Sequence, residues 1–306
     1  MLIRHHIDEL VEAKLPLHLA IGVFDGLHLG HQAVIARAVA AASKHGGLAG
    51  ILTFDPHPIR VIAPLKAPSS LLETLGHKAA VCASLGCEIM IPLHFDAEMA
   101  IMTAEAFIER LCTTPVKTIA VGEDWRFGHR RAGDVAMLEK MSSSHGYELM
   151  AVPPVMFGGD RISSTRIRQA IHDGNLDEAA QMLGRRYSVT GTVIRGSQLG
   201  RQLGFPTANL ETGHLQLPPN GVWAATAIDP DGRSCEAVAN LGMRPTVDGA
   251  NRTLEAHLLD FEGDLYGKNL ELRFEKFLRS ERKFESTAAL QSQIARDIKA
   301  ARNGVF

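Results

Sequence analysis

The sequence predicts an α/β domain built on a doubly wound parallel sheet, followed by a small antiparallel β-barrel with a C-terminal helix. Three observations predict it. In the first part of the chain, short continuous apolar runs alternate with helical patterns, as expected of parallel strands buried between covering helices. From Tyr187 onward, short strands follow one another with turn residues and no helices between them. In the last segment, 286–302, Leu290, Ile294 and Ile298 recur every fourth residue, giving a helix with one apolar face to bury.

The chain has 306 residues, a comfortable length for two domains. The boundary is expected at Gly184, giving domains 1–184 and 185–306. No low-complexity linker separates them. A formal net charge of -2 offers no global basic field, so no nucleic-acid partner is expected. No apolar run approaches bilayer length, and charges from Arg4 onward leave no apolar core for a leader, so no membrane association is expected. Cys82, Cys87, Cys112 and Cys235 form no C-x-x-C pair and read as reduced thiols of a cytoplasmic protein.

In chain order, the first half predicts strands over 17–23, 48–54, 88–93, 118–121 and 148–152. It predicts helices over 31–45, 70–85, 104–111, 133–145 and 164–171. In such sheets ligands bind beyond the carboxyl ends of the strands, and the chemically unusual residues fall there. The first strand runs into Gly22-Val23-Phe24-Asp25-Gly26-Leu27-His28-Leu29-Gly30-His31. Its glycines free the backbone where strand becomes helix. His28 and His31 share one face of the helix start, beside orphan N–H groups and the positive end of the helix dipole. That is a place for a nucleoside triphosphate. The stretch is neither a P-loop nor a dinucleotide fingerprint, and H-x-x-H lacks the third ligand of a zinc site.

The second strand ends in Asp55-Pro56-His57-Pro58, whose prolines stop the strand. A structural turn and a functional one explain it equally well. The fourth strand is followed by Gly122-Glu123-Asp124-Trp125-Arg126-Phe127-Gly128, then Arg130, Arg131 and Asp134. Aromatics can cover a planar ring and arginines grip phosphate, while one aromatic is expected to fold into the core. In Ser163-Ser164-Thr165-Arg166-Ile167-Arg168 the hydroxyls suit a helix start. The arginines oppose the helix dipole there, which argues for an anion. Asp173-Gly174 breaks that helix, and Asn175 to Glu178 opens a short one over 176–183 in the manner of a capping box.

The second half predicts strands over 187–194, 221–228, 234–241, 253–259 and 270–278, with a turn at Asp248-Gly249 among those between them. Two clusters stand out. In 196–209, Gly196, Gly200 and Gly204 are spaced four apart and can aim backbone N–H groups at phosphates. Thr207 and Asn209 close that stretch with oxygen ligands suited to Mg²⁺. A flexible hairpin loop is the alternative. The second cluster is Glu255-Ala256-His257, where a carboxylate on a strand is either a general base or simply faces outward.

Together these motifs resemble the bifunctional bacterial riboflavin kinase/FMN adenylyltransferase family, also called prokaryotic FAD synthetases. The resemblance runs in order along almost the whole chain, through 22–31, 53–58, 121–134 and 162–168. It continues in the second half through 200–210, 240–246, 255–267 and 278–284. It implies a Rossmann-like nucleotidyltransferase domain and a kinase barrel. In the barrel, the riboflavin 5′-hydroxyl attacks the γ-phosphorus of ATP, with Glu255 as base. Thr207 and Asn209 hold Mg²⁺, and Gly196, Gly200 and Arg201 lie along the nucleotide. In the first domain the FMN phosphate attacks the α-phosphorus of a second ATP, giving FAD and pyrophosphate. His28 and His31 assist that transfer. Gly22, Phe24, Asp25, Gly30, Ser164, Thr165 and Arg168 bind the nucleotide, and Pro56, Pro58, Asp124 and Phe127 bind the flavin. The implied partners are riboflavin, FMN and ATP.

The chain departs from the family pattern at Trp125, Arg195 and Trp223, which bear on substrate affinity rather than reaction type. Two rivals remain. An adenylyltransferase for another small phosphate would not need the barrel. A non-catalytic flavin-binding module would not need His28, His31, Thr207, Asn209 and Glu255.

Overall fold

The computed structural model describes residues 1–11, 13–246 and 249–304, and the expected turn residue Asp248 lies outside them. By compactness the chain divides into a first unit, 1–69 with 75–164, and a second, 70–74 with 165–306.

The first unit runs β1 (Leu2–Ile3), β2 (Leu17–Ile21), α1 (Leu29–His45), β3 (Leu48–Asp55), α2 (Pro58–Ile62), α3 (Leu75–Ser84), β4 (Ile89–His94), α4 (Ala97–Ile101), α5 (Ala104–Leu111), β5 (Val116–Gly122), α6 (Val135–His145) and β6 (Glu148–Val152), then a small hairpin, β7 (Met156–Phe157) and β8 (Asp160–Arg161). Its sheet has the order β1-β4-β3-β2-β5-β6, and every pair is parallel. Strand β2 is buried along its whole length, as a strand with both faces covered must be. Its alternation separates two cores. Leu17, Leu19 and Ile21 join Phe107, Ile108 and Leu111 on one face, while Ala20 joins Val34, Ile35 and Ala38 of α1 on the other. His18 breaks that pattern without cost, because its ring nitrogens bond Thr118 Oγ1 at 2.8 Å and the Gly46 carbonyl at 3.0 Å.

The second unit runs α7 (Ser164–His172), α8 (Leu176–Leu183), β9 (Ser188–Ile194), α9 (Leu199–Gln202), β10 (Ala208–Glu211), β11 (Gly221–Ile228), β12 (Ser234–Thr246), β13 (Gly249–Leu258), β14 (Asn269–Arg279) and α10 (Thr287–Gly304). Its strands close into an antiparallel barrel of order β10-β13-β12-β11-β14-β9. Trp223 and Phe274 pack inside it edge to face at 5.9 Å. Helix α10 lays Ile298 and Ala301 over Val222, Ala224 and Val238. Asp297 fixes that helix by accepting three hydrogen bonds of 2.8–3.0 Å from the Arg279 guanidinium.

Several elements differ from expectation. The helix expected from residue 70 begins at Leu75, because 70–74 bend around an isolated bridge at Leu71 and are bonded elsewhere. Leu71 donates to the His214 carbonyl, Gln216 donates back to Leu71, and Arg168 donates to the Ser70 carbonyl at 2.9 Å. Those bonds tie 70–74 to α7 and to 214–216, which is why α7 and α8, ahead of the expected boundary at Gly184, group with the barrel. Asn175 caps α8 by position but makes no side-chain capping bond. Strand β10 begins within a stretch read as loop, β12 runs beyond its expected end, and β13 starts before its expected first residue.

Asp297 and Arg279 are both largely removed from water, so cutting one partner strands the other. Asp297→Ala is expected to destabilise the second unit by about 3–5 kcal/mol. The sequence holds two tryptophans, so in a Trp125→Phe background the urea transition seen by Trp223 fluorescence measures this.

Candidate functional sites

The strand order reverses between β2 and β5, and the crevice beyond their carboxyl ends is where such sheets bind ligands. After β2 the chain makes a turn with positive φ at Phe24 (51°), Gly26 (85°) and Leu27 (41°). Phe24 and Leu27 reach this conformation with their side chains buried under α1. The Val23 carbonyl accepts from Thr53 Oγ1 and from Lys78 Nζ, each at 2.9 Å. The Asp25 carbonyl accepts from the Ser164 hydroxyl at 2.8 Å.

His28 is the N-cap of α1, and its Nδ1 accepts the His31 backbone N–H at 3.3 Å. An accepting Nδ1 puts the proton of the neutral ring on Nε2. The His28 and His31 rings stack with centroids 3.6 Å apart, and Phe24 meets His31 edge on at 5.3 Å. Gly30 permits this, since a Cβ there would lie 3.1 Å from His28 Cε1. Gly22, Phe24, Asp25, His28, Gly30 and His31 therefore lie along one turn and helix start, to which Ser164, the first residue of α7, is bonded. The first turn of α1 holds no acidic residue, so its positive dipole end is not offset there.

At the end of β3, Pro56 leads to His57, whose Nδ1 caps α2, and Pro58 is the first helical residue. At the end of β5, Phe127 is the aromatic that folds inward, and Trp125 stacks on it at 4.3 Å. Asp124 pairs with Arg161 through two hydrogen bonds, one of 3.0 Å. Those bonds hold the Asp124 carboxyl below its usual range. Arg126 is engaged by Asp134 at 2.7 Å. Thr165 and Arg168 lie on α7 in the second unit, where Thr165 is exposed.

In the barrel, Asn209 on β10 stands opposite Glu255 on β13. Thr207, just before β10, donates to Glu255 Oε2 at 3.4 Å. Gly196 leaves room for Asn209, because a Cβ there would sit 2.4 Å from its Oδ1. Gly200 closes the intervening loop by accepting from Phe205 N–H at 2.8 Å. Arg201 is exposed on α9. Thr207 Oγ1, Asn209 Oδ1 and the Glu255 carboxylate are all hard oxygen donors on adjacent strands, a set that fits Mg²⁺.

Sequence reasoning missed Thr53 and Lys78, which hold the Val23 carbonyl, and Arg161, which holds Asp124. Lys78 reads in sequence as an ordinary helix-surface lysine, so no signal marks it. Arg161 directly precedes the Ile162-Ser163-Ser164 stretch and could have been found there.

Two family descriptions match the chain, FAD synthetase over residues 11–166 and riboflavin kinase over residues 183–305. A bifunctional riboflavin kinase/FMN adenylyltransferase of Escherichia coli K12 is 38% identical over 286 residues, covering 93% of this chain and 91% of its own. The Pseudomonas fluorescens protein of the same description is 38% identical over 92% of this chain and 91% of its own. The Haemophilus influenzae one is 35% identical over 93% and 92%. A solved Streptococcus pneumoniae structure, described as a macrolide-efflux protein, superposes with a TM-score of 0.83 at 29% identity, covering 99% of this chain and 98% of that one.

The Asp124–Arg161 pair yields a pH dependence. A carboxyl whose folded pKa is depressed contributes stability above its unfolded pKa and loses it as pH falls through the folded one. Asp124→Asn is expected to lower stability slightly at pH 7, because the pair is mostly exposed, and to match the parent chain at acid pH. Chemical denaturation at both pH values checks this.

Proposed function

The chain belongs to the bifunctional riboflavin kinase/FMN adenylyltransferase family, with a domain for each step from riboflavin to FAD, and on that premise we propose how its residues divide the work. Adenylyl transfer is assigned to residues 1–184 and phosphorylation to residues 185–306. The observation that carries the kinase assignment is Glu255 facing Asn209 across the β10–β13 ladder, 3.4 Å from the Thr207 hydroxyl.

In the barrel, Glu255 accepts the proton of the riboflavin 5′-hydroxyl as that oxygen attacks the γ-phosphorus of ATP. Thr207 and Asn209 hold Mg²⁺. When bound, the ion neutralises charge on the phosphate oxygens. Gly196 and Gly200 let the backbone approach the phosphates, and Arg201 adds a cation at the edge of that loop. The products are FMN and ADP.

In the first domain an FMN phosphate oxygen attacks the α-phosphorus of a second ATP, and pyrophosphate leaves. His28 offers Nε2–H to the phosphate oxygens, because Nδ1 is occupied by the helix backbone. His31, stacked on it, offers a second imidazole at the same helix start. Gly22, Phe24, Asp25 and Gly30 shape the turn that receives the triphosphate. Ser164, Thr165 and Arg168 receive the departing pyrophosphate. Pro56, Pro58 and Asp124 border the flavin, and Phe127 acts there by backing Trp125. Neither step needs a covalent enzyme intermediate, since positioning and charge stabilisation suffice.

Free thiols and the use of ATP in both steps suit the cytoplasm. Efflux stays with the pneumococcal protein's description, and among the described residues no helix is long and apolar enough to cross a membrane.

The test incubates purified protein with riboflavin, ATP and Mg²⁺, separates the flavins, and measures ADP and pyrophosphate. Glu255→Ala is expected to slow FMN formation by about 10²–10⁴-fold while FMN supplied directly still becomes FAD. Loss of both steps would contradict independent sites. His28→Ala is expected to do the reverse, with FMN accumulating, and undiminished FAD output would remove His28 from its role.

A further inference from the structure

Glu255 has a neighbour two residues along the same strand that the scheme above does not use. Along β13, Leu254, Ala256 and Leu258 are buried, while Thr253, Glu255 and His257 alternate with them on the opposite, half-buried face. His257 therefore stands beside Glu255 on the side that meets the 196–207 loop. Its Nδ1 lies 2.7 Å from the Pro206 carbonyl oxygen. A carbonyl can only accept, so Nδ1 carries the proton and the neutral ring is fixed in that tautomer. The Phe205 ring meets the imidazole edge on, at 90° and 5.7 Å.

We propose that His257 is a positioning residue for phosphoryl transfer, anchoring the Pro206–Thr207 peptide so that Thr207 Oγ1 and Asn209 Oδ1 meet the magnesium–nucleotide beside Glu255. The register supports this. Ala208 pairs with Ala256 and Asn209 with Glu255, so the next step of the ladder sets Thr207 opposite His257. The ladder stops at Ala208, and Pro206 has no N–H with which to extend it. The imidazole supplies the bond that the strand cannot. Without it, the Thr207 side chain relies on a 3.4 Å contact to a carboxylate that must itself take up a proton. A bond from Nδ1–H persists whether Nε2 is protonated or not, so the anchor does not switch with pH.

This inference rests on the assignment of riboflavin phosphorylation to the barrel, and the experiment separates the two. His257→Ala, His257→Asn and His257→Gln are compared with the parent chain. Asparagine places an N–H donor near the position of Nδ1, whereas glutamine reaches toward that of Nε2. His257→Ala and His257→Gln are expected to raise the Mg²⁺ concentration for half-maximal FMN formation and the KM for ATP by about 10-fold or more, the usual loss when a group supporting a metal ligand is removed. His257→Asn is expected to recover most of the loss. Conversion of supplied FMN to FAD and the melting temperature should stay at parental values in all three.

A second readout needs no turnover. The imidazole ¹⁵N signal absent from His257→Asn should show Nδ1 as the protonated nitrogen in the parent chain. A signal protonated at Nε2 overturns the proposal. So does parental Mg²⁺ dependence in His257→Ala, an equal loss in all three variants, or a fall in FAD formation alongside. A parent chain that makes no FMN at all overturns the barrel assignment instead.

Discussion

The first unit depends on two side chains buried under α1. Phe24 and Leu27 both hold positive φ, a conformation costing about 1–3 kcal/mol for each residue with a side chain. Burying a large apolar side chain returns about 1.5–3 kcal/mol each. The two effects are similar, so burial alone leaves the turn near balance. The bonds from Thr53 and Lys78 to the Val23 carbonyl tip it, since a hydrogen bond from a charged donor contributes about 1.5–3 kcal/mol. The turn in turn sets the start of α1, and with it the position of His28 as N-cap and of His31 stacked upon it.

The barrel solves a similar problem by other means. Its polar groups come together through strand register, which fixes Asn209 opposite Glu255 with no strained side chain on either strand. Positive φ falls instead on Gln198, at the start of the loop, and on Asp260, beyond the end of β13. A ladder is stiff only where it pairs, and the Thr207 end lies one residue past its last pair. That end of the site therefore relies on side-chain bonds, whereas in the first unit the helix cap and core do the placing.

The fold was legible because its periodicities are plain. Buried runs such as β2 and β4 mark the parallel sheet, and α5, α8 and β11 have the bounds expected from their patterns. Strand β10 was not legible, because its four residues follow a glycine-rich stretch and only Leu210 is buried. The start of α3 was misread because Leu71 and Leu72 fit a helical stripe, although Leu71 pairs with the distant Leu215. At the candidate sites, residue type and order were legible, and the geometry was not. Sequence put Asp124 and Phe127 in one loop, but it could not tell that Phe127 is the inner ring and Trp125 the outer one. It also gave no sign that His28 accepts a backbone bond, which decides which nitrogen of that ring carries its proton.

Arginines mark the limit of motif reading most clearly. Five arginines, Arg126, Arg130, Arg131, Arg166 and Arg168, fall in the two basic stretches that the sequence singled out and Arg161 directly precedes the second, and type alone makes each a phosphate ligand. The structure separates them by what they already hold. Arg126 is taken by Asp134, Arg161 by Asp124, and Arg166 lies 3.8 Å from Glu178. An arginine held by a carboxylate must give up that partner before it meets a phosphate, so its net gain from the new contact is small. Arg168 differs in kind: its Nε donates to the Ser70 carbonyl at 2.9 Å, a bond internal to the second unit.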